Sequence, residues 1–140
     1  GNFEVEAKKN VIVISADYQS TLFSEAASAS FHADGWQVYS LGDMSSSIDV
    51  LFDLDLQKFL TKVWKSGMGI MVIVIFSSTA ESMKFFAESV NSIKLKSRKN
   101  LYLAVCGDMK KNTEIKADLV EEDIQAVLQW SQTTFESFIS

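Results

Sequence analysis

Ser77, Ser78 and Thr79 sit directly behind an unbroken apolar run and put three consecutive hydroxyls at a place where α/β proteins carry out chemistry. Hydroxyls at the mouth of a helix can bind an anion or accept a phosphoryl group, because the first amides are unpaired and the helix dipole presents its positive end there. A structural role fits the same residues, since Ser78 followed three places on by Glu81 is a capping box, and the spacing favours it. Two smaller sets accompany them. Asp17, with Ser20 and Thr21 behind it, follows an earlier apolar run, and Gly107 and Asp108 follow a later one. Asp17, Ser20, Thr21, Ser77, Ser78, Thr79, Gly107 and Asp108 are therefore the residues expected to line a ligand crevice.

Stronger chemistries lack their parts. The chain has one histidine, His32, and nothing fixes its position for a nucleophilic triad. Its six glycines are too scattered for a phosphate loop or a dinucleotide fingerprint. Cys106 ends an apolar run, but no neighbouring cation is evident to lower its pKa, so an inert buried thiol is expected. No metal site, no catalytic residue and no cofactor are expected.

Such residues need elements that gather them. Ile70 to Phe76 holds seven apolar residues without alternation, which requires a strand covered on both faces. Val11 to Ile14 and Leu101 to Cys106 read the same way. Trp36 to Leu41 alternates, as an edge strand does, and Ala117 to Val120 offers a short fifth. Between them, helical spacing marks a helix from Thr21 to Ala33, with Leu22, Phe23, Ala26, Ala27 and Phe31 as its buried face and Gly35 as its stop. Ser45 to Ser47 are expected to cap a second helix, whose stripe runs Ile48, Leu51, Phe52, Leu56, Phe59, Leu60 and Val63 up to Gly67 and Gly69. A third buries Met83, Phe86, Ala87, Val90 and Ile93, and a last one buries Ile124, Val127, Leu128, Phe135 and Phe138. Alternating strand and helix call for βαβ units. The expected fold is a three-layer α/β sandwich with a flavodoxin-like parallel sheet, order 2-1-3-4 and a short fifth strand beyond.

With 140 residues and 47% hydrophobic content, one domain from 10 to 140 follows a polar lead-in, 1 to 9. A net charge of −5 argues against nucleic-acid binding. The basic group Lys94, Lys96, Arg98 and Lys99 reads as a solvated helix end. No apolar run is long enough for a membrane span, and a single cysteine suits the reducing cytoplasm.

The layout resembles a phospho-acceptor receiver, but the acidic pair, the acceptor aspartate and the lysine of that family are missing, since the third strand ends in Ser77 and Ser78. The chain also resembles the cobalamin-binding domains of methyltransferases and mutases and their regulatory relatives. Gly35-Trp36-Gln37-Val38-Tyr39-Ser40-Leu41-Gly42 carries that likeness, supported by the hydroxyl turn at Ser77 and Ser78 and by Ala117 and Asp118 before the last helix. The family's cobalt-ligating Asp-x-His-x-x-Gly loop is replaced here by Asp17-Tyr18-Gln19-Ser20-Thr21-Leu22-Phe23, which has no imidazole. Its glycine pair is reduced to Gly107 followed by Asp108. Relatives of this fold also hold haem, for which His32 is the one candidate axial ligand.

A core retained without its chemical groups implies a non-enzymatic regulatory or signalling module acting through protein contacts. Its partner is another protein or another domain of a longer chain, and a homodimer is one form it can take. Trp64 and Trp130, at the margins of their helix stripes, are candidates for contact surface or for boundary residues over the core. The competing expectation is a small-ligand sensor for a tetrapyrrole, nucleotide or anion at the strand ends.

Overall fold

A computed structural model describes residues 8–49, 51–64, 68–96, 100–108 and 114–140. Strand β1 (Lys9–Ser15) leads into helix α1 (Thr21–Ala33), followed by β2 (Gln37–Asp43), α2 (Phe52–Val63), β3 (Ile70–Ser77) and α3 (Ala80–Lys96). The chain closes with β4 (Leu101–Gly107), β5 (Leu119–Glu121) and α4 (Ile124–Ile139). All five strands are parallel, in the order β2-β1-β3-β4-β5.

Every residue of β3 is buried, as its unbroken apolar run demands. Successive side chains of a strand point to opposite faces. Ile12, Ile14, Met71, Ile73, Ile75 and Leu103 therefore pack with Phe52, Leu56, Phe86 and Val90 of α2 and α3. Val11, Val13, Val72, Val74 and Ala104 pack with Ala27 and Phe31 of α1 and Val127 of α4. The two cores account for the apolar stripes of α3 and α4 read from the sequence. Trp64 and Trp130 pack over these cores as boundary residues, Trp64 donating Nε1–H to the Met68 carbonyl and Trp130 meeting Tyr102 edge to face.

The turn from α1 into β2 shows how local sequence fixes the frame. Gly35, at φ +88°, ends the helix in the left-handed region. Its amide donates to the His32 carbonyl, and the Trp36 amide donates to the Phe31 carbonyl, both at 3.0 Å. This is a Schellman stop, and its usual apolar contact is present as an edge-to-face pair of Phe31 and Trp36.

Four expectations about the elements need correction. Leu22, Phe23 and Ala26 of α1 are exposed, so only Ala27 and Phe31 of the expected stripe reach the core. Ser45–Ser47 forms a 3-10 turn instead of a cap, and α2 begins at Phe52, leaving Ile48 and Leu51 outside. Thr79, not Ser78, caps α3, accepting the Ser82 amide at 3.2 Å on its Oγ1. The fifth strand lies two residues later at its start than expected, pairing Leu119 with Ala104. Along the opposite margin, the pairing of β1 with β2 slips by one residue, so that Val13 faces Ser40 but Ile14 faces Gly42. The expected polar lead-in, the stop at Gly67, and Arg98 and Lys99 of the basic group lie outside the described residues, wholly or in part; Lys94 pairs with Asp118. Among the described residues no helix is long and apolar enough to cross a membrane.

Candidate functional site at the carboxyl edge of the sheet

Strand β1 ends at Ser15, and the chain turns through Asp17 and a short 3-10 turn, Tyr18–Ser20, into α1. Asp17 is extended there and acts as the cap of that turn, its Oδ1 accepting the Ser20 amide at 2.9 Å. Its Oδ2 accepts the Ser78 amide at 2.8 Å, across from the end of β3. One carboxylate thus bolts two strand-end loops together. Partial burial raises its pKa, but the hydrogen bonds from Ser78 and Ser20 outweigh that and hold the carboxyl below its ordinary value.

The hydroxyl trio is engaged with its own turn. Ser77 Oγ donates to the Thr79 carbonyl at 2.8 Å and accepts the Thr79 amide at 3.2 Å. Ser78 Oγ bonds the Gln19 side chain at 2.9 Å, joining the same two loops from the outside. Thr21 Oγ1 is buried with no hydrogen-bond partner among the described residues.

Gly107 answers to packing. A Cβ at this position would stand 2.4 Å from the Ser77 carbonyl oxygen and 2.6 Å from Met83 Cε, so β4 approaches β3 and α3 too closely for any side chain.

A cleft of about 470 Å³ opens between the starts of α1 and α4 and the ends of β3 and β4. Phe23, Phe76 and Ile124 supply its apolar walls; Ser20, Ser77, Ser78, Gly107 and Asp108 of the expected crevice also line it. Asp17 lies behind as the bolt, and Thr21 and Thr79 are not in the wall. Gln19, Phe23, Phe76, Cys106, Glu122 and Ile124 line it without having been expected to. For Phe23 the helical spacing pointed the wrong way, and for Glu122 and Ile124 only the placement of α4 beside α1 brings them in. A larger groove of about 610 Å³ runs along the outside of α3, past Leu95 and Ile115, away from the strand ends.

Cys106 faces the cleft but is buried, and burial, followed by the negative charges of Asp123, Glu121 and Glu122, pushes its thiol up to about 12. It stays protonated at neutral pH and is a poor nucleophile. His32 lies exposed in the last turn of α1, at the amino edge of the sheet, so the one candidate haem ligand is at the wrong end of the molecule for this cleft. Among the described residues no group of three histidine, cysteine or acidic side chains could hold a metal ion.

Five parallel strands in this order, with helices on both faces, make the chain a flavodoxin-like α/β domain. Within that class it is similar to the monomethylamine corrinoid protein of Methanosarcina barkeri, with a TM-score of 0.63 at 17% identity. The likeness is one of fold. It covers 92% of this chain and 57% of the corrinoid protein, so the chain spans little more than half the length of that relative. No protein-family model and no curated protein matches the chain.

Proposed function

We propose that this domain is a non-enzymatic regulatory module that acts through protein contacts at the carboxyl edge of its sheet. One observation carries the reading. Tyr18, Leu22 and Phe23 stand 81%, 77% and 61% exposed at that edge, in the turn and first helical residues after β1. Large apolar side chains clustered on a functional edge are what a partner covers. The polar groups around them favour binding over catalysis, because Asp17 and Ser77 are tied into the loops and Cys106 is held protonated.

A corrinoid gripped through a histidine below its metal does not fit this edge. Residues 16 to 23 offer no imidazole to ligate its metal. A second reading, a small-ligand sensor, is favoured by the cleft itself, whose volume falls within the range of small-molecule sites.

A photo-crosslinking residue placed at Leu22, with another at the still more exposed Leu95 as control, separates the two. The expected result is a discrete higher-mass adduct in cells from position 22 and none from position 95. Absence of any adduct at 22, together with a visible spectral shift when hydroxocobalamin or haem is added to the pure protein, overturns the protein-contact reading in favour of the sensor.

A further inference from the structure

If the carboxyl edge receives a protein, the helix N-termini gathered there indicate what chemistry that protein brings. In a doubly wound sheet these N-termini are the natural seats of phosphates and carboxylates. Here an oxygen of the chain itself takes one amide in or just ahead of each, although α1 and α2 carry no side-chain cap of their own. Asp17 takes the Ser20 amide at the entry to α1, and Thr79 takes the Ser82 amide in α3. Asp49 Oδ1 takes the Leu51 amide at 2.8 Å ahead of α2, and Asp123 Oδ1 takes the Gln125 amide at 3.0 Å in α4. Three of these four acceptors are carboxylates, so negative charge lies where an incoming anion would need positive.

Asp43, Glu81 and Glu121 add to this charge in the same loops and first turns. Among the described residues no lysine or arginine stands in those loops or turns; Lys110 and Lys111, which follow the end of β4, lie outside the described residues. Five of the eight described lysines stand at the opposite edge, Lys8 and Lys9 at the start of β1 and Lys62, Lys94 and Lys96 in the last turns of α2 and α3, while Lys58 is mid-α2, Lys84 begins the second turn of α3 and Lys116 lies between β4 and β5. Asp108 and Glu122, in the cleft wall, already interact within the chain, so attraction has to come from the others.

We propose that the carboxyl edge docks a basic segment of a partner protein, whose apolar anchor enters the cleft between Phe23, Phe76 and Ile124 while its lysines or arginines face the capping carboxylates. This deepens the protein-contact reading and rests on it. Apolar anchors in a pocket supply affinity, and complementary charge around them supplies rate and selectivity. Phosphates and nucleotides are opposed by the same charges, and the Ser20, Leu51, Ser82 and Gln125 amides are already taken.

The test uses fluorescence anisotropy with a labelled amphipathic peptide that carries leucines on one face and lysines on the other, against the same peptide with every lysine replaced by glutamate. The lysine peptide is expected to bind at least about tenfold more tightly at low salt, and to lose about tenfold in affinity with Phe23→Ala, the order of effect of a pocket aromatic. Asp123→Asn removes a charge while keeping a good cap, and should weaken binding about two- to fivefold, as an exposed charge pair does. Glu88→Gln, in the middle of α3, should change nothing. Equal binding of the two peptides, or indifference to both Phe23→Ala and Asp123→Asn, overturns the proposal. So does inorganic phosphate that shifts the Ser20 or Ser78 amide resonances at constant ionic strength. If the crosslinker at Leu22 captures a partner while the peptide arms fail, protein contact stands and the basic-segment inference falls. Failure of both removes the two together.

Discussion

Replacing Asp17 should loosen the carboxyl edge more than any other single polar change there. In Asp17→Ala the turn after β1 loses its cap, worth about 1 kcal/mol. The Ser78 amide also loses its acceptor at 2.8 Å, and a partly buried donor left without one costs about 1–2 kcal/mol more, at the low end because solvent retains some access. The sum is about 2–3 kcal/mol, and for a domain of this size it corresponds to melting about 6–12 °C lower. Asp17→Asn keeps a single acceptor oxygen and should lose about half as much. The carboxyl is held below its ordinary value, so its contribution is complete above the unfolded-state pKa of about 3.9 and is lost as pH falls through the lower folded value. Urea unfolding followed by tryptophan fluorescence, at a series of pH values, measures both effects. The gap between the native chain and Asp17→Asn should be full at neutral pH and shrink below about pH 4. A neutral-pH gap within about 0.5 kcal/mol, the span of ordinary surface changes, refutes the bolt, as does a gap that ignores acid.

Gly107→Ala places a methyl 2.4 Å from the Ser77 carbonyl oxygen and should cost about 1–3 kcal/mol by overpacking, read as a drop in the thermal midpoint by circular dichroism. Thr79→Ala should cost about 1 kcal/mol through the lost cap of α3, whereas Ser78→Ala should stay within about 0.5 kcal/mol, because the Ser78 backbone amide on Asp17 is kept and the hydroxyl bond lost to Gln19 is exposed. Cys106 should resist a thiol-reactive dye at mildly alkaline pH until the chain is denatured, since its thiol is buried and pushed up to about 12; rapid labelling of the folded protein would contradict this.

The frame was legible because its signals are local or strictly periodic. Val11 to Ile14 and Ile70 to Phe76 could lie only between two helical layers, and their alternate residues do divide between the two cores. Gly35 marked the end of α1 because only a left-handed residue completes that stop. What escaped depends on contacts distant in sequence. Leu22, Phe23, Ile48 and Leu51 fit helical spacing as well as true core residues do, and periodicity cannot distinguish a side chain facing the core from one facing outward. Asp17 was recognisable as a strand-end residue, but its partner is 61 positions away. Likewise the reason for Gly107 is a carbonyl oxygen on a neighbouring strand. Capping at Thr79 differs from the expectation at Ser78 by one residue, because Ser77 and Ser78 are drawn into the loop contact with Asp17 and Gln19.

The two lateral margins of the sheet have a bearing on crowding. On one side β5 is three residues long, and on the other the ladder slips beside Gly42. Neither rim offers a long, straight row of amides and carbonyls on which a foreign strand could zip up. Fibre-like stacking through these flanks is thereby discouraged, and encounters at high concentration are channelled toward the end of the molecule where the rings of Tyr18 and Phe23 lie open.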